Sequence, residues 1–204
     1  MQVRTAENAD EAFRRLAERQ RSELTLIDRA GGRRQVIHET RALIEAPNWT
    51  PDGRWLVFNS DGRLFRIAVD GSGGPTPIDT GTVDDINNDH VLSPDGRTIF
   101  FSAAGHLYAV PFEGGTPRRI SNLHPADAPL AYYLHGVSPD GLSLAYVGLD
   151  GANRSAIYRI PAAGGPDTRL SFGELPVDGP EYSPDGRWIY FNAELRADEP
   201  GHAQ

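Results

Sequence analysis

YSPDGRWIYF, residues 182–191, reads as the end of one strand, a tight turn and the start of a second strand. Three earlier stretches repeat it: WTPDGRWLVF at 49–58, LSPDGRTIFF at 92–101 and VSPDGLSLAY at 137–146. The turn chemistry is explicit. Pro51, Pro94, Pro139 and Pro184 preset φ at the first corner, the following Asp bonds to nearby backbone, and Gly takes the left-handed position that returns the chain. Asp52, Asp95, Asp140 and Asp185 recur at spacings of 43, 45 and 45 residues. A fixed period of that size is the mark of a propeller or a solenoid.

Working outward from each turn separates these two. RWLVFNS, RTIFFSA, LSLAYVG and RWIYFNA follow the turns, with alternation and β-branched or aromatic enrichment. Third strands follow in GRLFRIAV, GHLYAVPF and SAIYRIPA. Gly-rich turns then lead to short fourth strands in PTPID, PRRIS and DTRLS. Four antiparallel strands per repeat make the blade of a β-propeller. Helical solenoids would show a 3.6-residue period, and hexapeptide or leucine-rich repeats are shorter. The expected fold class is therefore all-β, a propeller of four-stranded antiparallel blades, about four blades' worth, with a short N-terminal helix.

The division expected from the repeat is an N-terminal arm at 1–20 and a propeller at 21–204. The propeller comprises a half blade at 21–44, full blades at 45–86, 87–131 and 132–176, and a half blade at 177–204. In the arm, Asn8 and Glu11 suit a capping box, and Ala9, Ala12, Phe13, Leu16 and Ala17 form one apolar stripe, which predicts a helix over 8–20. That helix would cover an exposed blade edge. Pairing of Leu24–Glu39 with Glu181–Asn192 would close a four-bladed ring. We expect the open arc instead, in which uncovered apolar surface favours association.

Composition narrows the function. The chain has 204 residues and a net charge of −8, which argues against a nucleic-acid backbone as partner. It has no Cys, which excludes disulfides and thiol chemistry. No apolar run reaches membrane-spanning length, so no membrane insertion is expected. The charged N-terminus lacks a signal-peptide core, so the chain as written is expected in the cytoplasm, or in the periplasm if its true start lies upstream. No G-x-S-x-G elbow and no phosphate-binding loop occur.

The SPDGR hairpin followed by LYxVxxxGGxPxRLS resembles the repeat of TolB-like β-propellers, relatives of the WD repeat. The resemblance spans Ser22 to about Asn192. It implies a propeller and leaves function open, since such repeats occur in periplasmic scaffolds, in the gating domains of prolyl-oligopeptidase-like peptidases and in polysaccharide lyases. In a propeller the first strand of each blade lines the central channel. Counting back from the turn Pro aligns Pro47, His90, His135 and Pro180, so two successive blades are expected to present His at one height on the channel wall. Asp89 adjoins the first, and Tyr132 and Tyr133 precede the second. Such a set could bind a divalent metal or act in acid–base chemistry. The resemblance to oligogalacturonate-lyase-type propellers implies a metal held by channel histidines.

Asp85, Asn87 and Asp89 have the D-x-N-x-D spacing of a calcium loop, but His90 stands where its Gly belongs and no Glu closes it. Loop hydrogen bonding is the better reading. The Asp of each SPDG turn is structural too, because it recurs in every blade while a catalytic group is needed once. The favoured function is a non-catalytic scaffold with no cofactor, binding a protein or small-molecule ligand through His90, His135, Asp85, Asp89, Tyr132 and Tyr133. The competing readings are a metal-dependent uronate lyase or hydrolase and the propeller portion of a peptidase.

Overall fold

The computed structural model describes residues 16–173 and 175–194. Sixteen strands run in chain order, and three blades are complete. The first holds β3 (Glu45–Trp49), β4 (Trp55–Ser60), β5 (Arg63–Ala68) and β6 (Thr76–Pro77). The second holds β7 (Ile86–Leu92), β8 (Thr98–Ala103), β9 (His106–Pro111) and β10 (Arg118–Arg119). The third holds β11 (Leu130–Val137), β12 (Ser143–Asp150), β13 (Ser155–Pro161) and β14 (Thr168–Arg169). Within each blade the strands pair antiparallel in sequence order.

Before them, β1 (Ser22–Ile27) pairs with β2 (Arg34–Thr40); after them, β15 (Val177–Tyr182) pairs with β16 (Ile189–Ala193). These are two separate two-stranded sheets. The helix expected over 8–20 lies for the most part outside the described residues. Within them, the Gln20 N–H donates to the Ala17 carbonyl in a turn.

The SPDG turn is a closed hydrogen-bond device, and its first residue matters as much as the three that follow. In the second blade the Ser93 hydroxyl donates to Asp95 Oδ1 at 2.6 Å and accepts from the Thr98 N–H at 3.0 Å. The Arg97 N–H donates to the same carboxylate oxygen at 3.0 Å, and the Gly96 N–H donates to the Ser93 carbonyl. Thr50, Ser138 and Ser183 repeat the pattern. Gly53, Gly96, Gly141 and Gly186 have φ between 69° and 74°, where a Cβ is strained. Hydrogen bonds from the Thr50 hydroxyl and the Arg54 backbone hold the Asp52 carboxyl down to about 2.

The turns also touch one another. A Cβ on Gly96 would lie 3.1 Å from Cδ of Pro51, one on Gly141 3.3 Å from Cδ of Pro94, and one on Gly186 3.4 Å from Cδ of Pro139. Each of these three glycines thus seats the ring of the preceding turn's proline.

Blades stack face to face, so their middle strands are covered on both sides. β4, β8 and β12 are buried along nearly their whole length. The core is layered accordingly. Leu24, Leu56, Phe58 and Ile67 fill the joint between β1–β2 and the first blade. Val57, Ile86, Ile99 and Phe101 help fill the next joint, and Phe100, Leu134, Leu144 and Ile160 the one after it. Each such side chain withdrawn from water contributes about 1.5–3 kcal/mol. Trp188 and Tyr190, on or beside β16, are exposed.

Candidate functional site

The first strands of successive blades lie beside one another: β3 by β7, β7 by β11, β11 by β15. Every one of them carries a bulge. In β3, Ala46 and Pro47 stand opposite Phe58; in β11, Leu134 and His135 stand opposite Tyr146; in β15, Gly179 and Pro180 stand opposite Phe191. Ala46 and Gly179 take positive φ there. β7 differs. Ile86 pairs with Ala103 and His90 with Phe101, so three residues, 87–89, face the single Ser102. A bulge re-aims the side chains beyond it, and its place decides what each strand shows.

The two aligned histidines are therefore not equivalent. His90 sits in a regular pair and is 3% exposed. Its Nε2 is 3.4 Å from the Val57 carbonyl of the first blade, and the Asn48 side-chain amide donates to the His90 carbonyl at 3.0 Å. Burial lowers its pKa to about 4, so it is a neutral ring inside an inter-blade joint. The channel-wall position expected for it is not observed, because the excess residues of β7 lie ahead of it.

His135 stands on its bulge and is half-buried, with Nε2 3.2 Å from Asp178 Oδ1 of β15. Burial of the ring opposes its charge. The hydrogen bond to Asp178 and the charges of Asp89, Asp178 and Glu181 outweigh that, and the pKa is raised. The bond to His135 in turn holds Asp178 below its ordinary value, while burial pushes Glu181 up.

Asp89 thus joins His135. Asn87 ties it down: the Asn87 side-chain amide donates to Asp89 Oδ2 at 2.7 Å, and the Asp89 N–H donates to Asn87 Oδ1 at 3.0 Å. These bonds satisfy the segment as a loop. Asp85 is half-buried just ahead of β7. Tyr133 is half-buried like His135, alternating with the buried Tyr132, Leu134 and Gly136. Among the described residues no three His, Asp or Glu side chains converge as a metal site.

Tyr132 belongs to a different place. Its hydroxyl donates to Asp167 Oδ2 at 2.8 Å and lies 2.7 Å from His124 Nε2. The Tyr146 hydroxyl donates to Asp167 Oδ1 at 2.7 Å, and the Asn122 amide donates to Oδ2 at 2.8 Å. Burial, then the Asp167 carboxylate, raises both tyrosine pKa values. This network pins the second blade to the third. Reading the sequence missed Asp167, Asn122, His124 and Tyr146. One signal was present: Asp167 stands where the earlier blades have Pro75 and Pro117.

A cleft of about 240 Å³ opens at the rim between the first two blades, against Trp55, Phe112, Asp95 and Glu113. The Arg66 guanidinium already lies 5.4 and 4.8 Å from the centres of the two rings and pairs with Glu113 at 2.8 Å. The cationic partner that such rings and a carboxylate attract is therefore supplied by the chain itself.

Four-stranded blades with their first strands side by side define a β-propeller. No protein-family model matches the chain. An uncharacterized protein of Agrobacterium fabrum is 41% identical over 178 residues, 85% of this chain and 58% of that protein. A structure from Agrobacterium tumefaciens solved under the TolB name is 42% identical, with a TM-score of 0.70, over 79% of this chain and 57% of that one. TolB of Acinetobacter baumannii is 21% identical, with a TM-score of 0.67, over 86% of this chain and 44% of that one. An oligogalacturonate lyase in complex with manganese shares the fold at 15% identity, with a TM-score of 0.62, over 83% of this chain and 52% of that one.

By fold and by repeat, the chain belongs to the TolB-like β-propellers. It spans a little over half the length of the two Agrobacterium relatives.

Proposed function

We propose that the chain is a non-catalytic scaffold that binds a protein segment or a small ligand at the face where β7, β11 and β15 meet. The observation that carries the reading is the bulged wall itself. Three neighbouring strands bring Asp89, His135, Asp178 and Glu181 together. Polar groups gathered on rigid strands beside long loops suit recognition. Among the described residues that wall holds one histidine, since His90 is buried. That favours the scaffold over a metal-dependent lyase, whose manganese-bound relative shares only the fold.

Metal analysis of the purified chain, combined with an activity screen on uronate oligosaccharides, separates the two readings. The scaffold reading expects no turnover and no bound metal in either the wild type or His135→Ala. Turnover that is lost with that substitution would replace it with the lyase.

A further inference from the structure

We propose that His135 is a proton-operated clasp that fastens β15 and β16 to the third blade. The inference rests on the geometry of this joint and holds whatever the channel binds.

The joint is built for close approach. A Cβ on Gly136 would lie 2.9 Å from the Pro180 carbonyl oxygen and 3.3 Å from Cα of Glu181, so only glycine lets β11 and β15 come this near. The apolar layers described above fill the joints before the third blade. At this one, polar ties join β15 to the third blade. The Val177 N–H donates to the Ser155 hydroxyl at 2.8 Å, and His135 Nε2 meets Asp178 Oδ1 at 3.2 Å.

The groups facing the imidazole come from every strand around it. β7 brings Asp89, and β15 brings Asp178 and Glu181. β12 brings Tyr146, whose hydroxyl is turned away onto Asp167. The charges that act on the ring, those of Asp89, Asp178 and Glu181, are negative. Protonated, His135 joins Asp178 and offsets the others. Neutral, it leaves three carboxylates around an uncharged ring, and the strands that carry them separate more readily.

The sign follows from the raised pKa. The unfolded value is near 6.5. The clasp is fully closed below that pH and is released as the pH rises through the higher folded value. Opening at this joint is local, so other blades keep their protection.

Hydrogen exchange of the full chain followed by mass spectrometry tests this, with rates corrected for the intrinsic pH dependence. The reading is the protection of residues 177–194 relative to 98–111 in the same sample, taken between pH 5.5 and 8.5. The wild-type ratio is expected to fall severalfold as pH rises. In His135→Asn it should stay flat, and in Asp178→Asn it should be shallower, since Asp89 and Glu181 remain. Asp178 is largely exposed, so its variant keeps the test alive if His135→Asn does not fold. In parallel, the imidazole titration of His135 should move down in Asp178→Asn. A wild-type ratio that does not change with pH overturns the proposal, and so does an undiminished slope in Asp178→Asn.

Discussion

β7 and β11 start from the same plan and end in opposite chemistry. Both lead into an SPDG turn, and both place a histidine four residues before its proline. In β7 the excess residues lie ahead of the histidine, which is buried and neutral. In β11 the excess residue is the histidine or its neighbour, and the ring reaches a carboxylate on the next blade. The pH responses are accordingly of opposite sign. His90 costs stability as the solution turns acidic, and His135 costs stability as it turns alkaline. Where a strand breaks its register decides this, and residue type does not.

The sharpest way to break the contrast is to put a charge at both positions. His90→Glu buries a carboxylate against the Val57 carbonyl and is expected to cost more than about 3 kcal/mol in urea denaturation at pH 7.5. His135→Glu adds a like charge on a half-exposed wall and should cost clearly less. Equal losses would erase the distinction.

Acid titration sharpens it next. Below pH 6.5 the unfolded chain protonates His90 while the folded chain does not until about pH 4. Folding stability should therefore fall by on the order of 3 kcal/mol across that window. Urea midpoints of wild type and His90→Leu measured between pH 7 and pH 4 should diverge in that direction, with the variant showing the shallower slope.

Gly136 and Val91 occupy the same count in the two strands. Gly136→Ala is expected to cost about 1–3 kcal/mol by pushing β15 away, read as a drop in the thermal midpoint. Val91→Ala, which trims a partly buried side chain packed on an apolar cluster, should cost about 1 kcal/mol.

The smallest effect concerns the turns that the two strands share. Gly96→Ala meets both a positive φ and the Pro51 ring. Gly53→Ala meets the same φ with nothing within 4 Å. Both should lose about 1 kcal/mol from backbone conformation. Gly96→Ala should lose a few tenths more, measurable as a difference in urea midpoint.

The blades were legible in the sequence because each of their signals is local. A proline, an aspartate and a glycine fix the turn, and strict alternation fixes the strand after it. The first strands were not legible in the same way. EAPNW, INNDHVL, LAYYLHGV and VDGPEY each contain a break in alternation, so counting back from the turn assumed a regularity that the strands lack. That assumption placed His90 on the channel wall. It found Asp89 and His135 but not Asp178 as their companion, since that residue comes from the next strand along the repeat. Tyr132 stands just before His135 in the sequence, yet its hydroxyl serves the joint between two blades. Asp167, which organises that joint, lies in a turn where an aspartate looks ordinary unless it is set beside Pro75 and Pro117.

The proline that rests on the next blade's glycine has a consequence for size. The turns of the second and third blades each carry a plug on one side and a socket on the other, so neighbours meet head to tail. Contacts of that kind contain no instruction to stop; they form a ring only when the rotation per step divides the circle. The turn motif can therefore serve propellers with different numbers of blades without changing a residue. What sets the number is the rotation from one blade to the next.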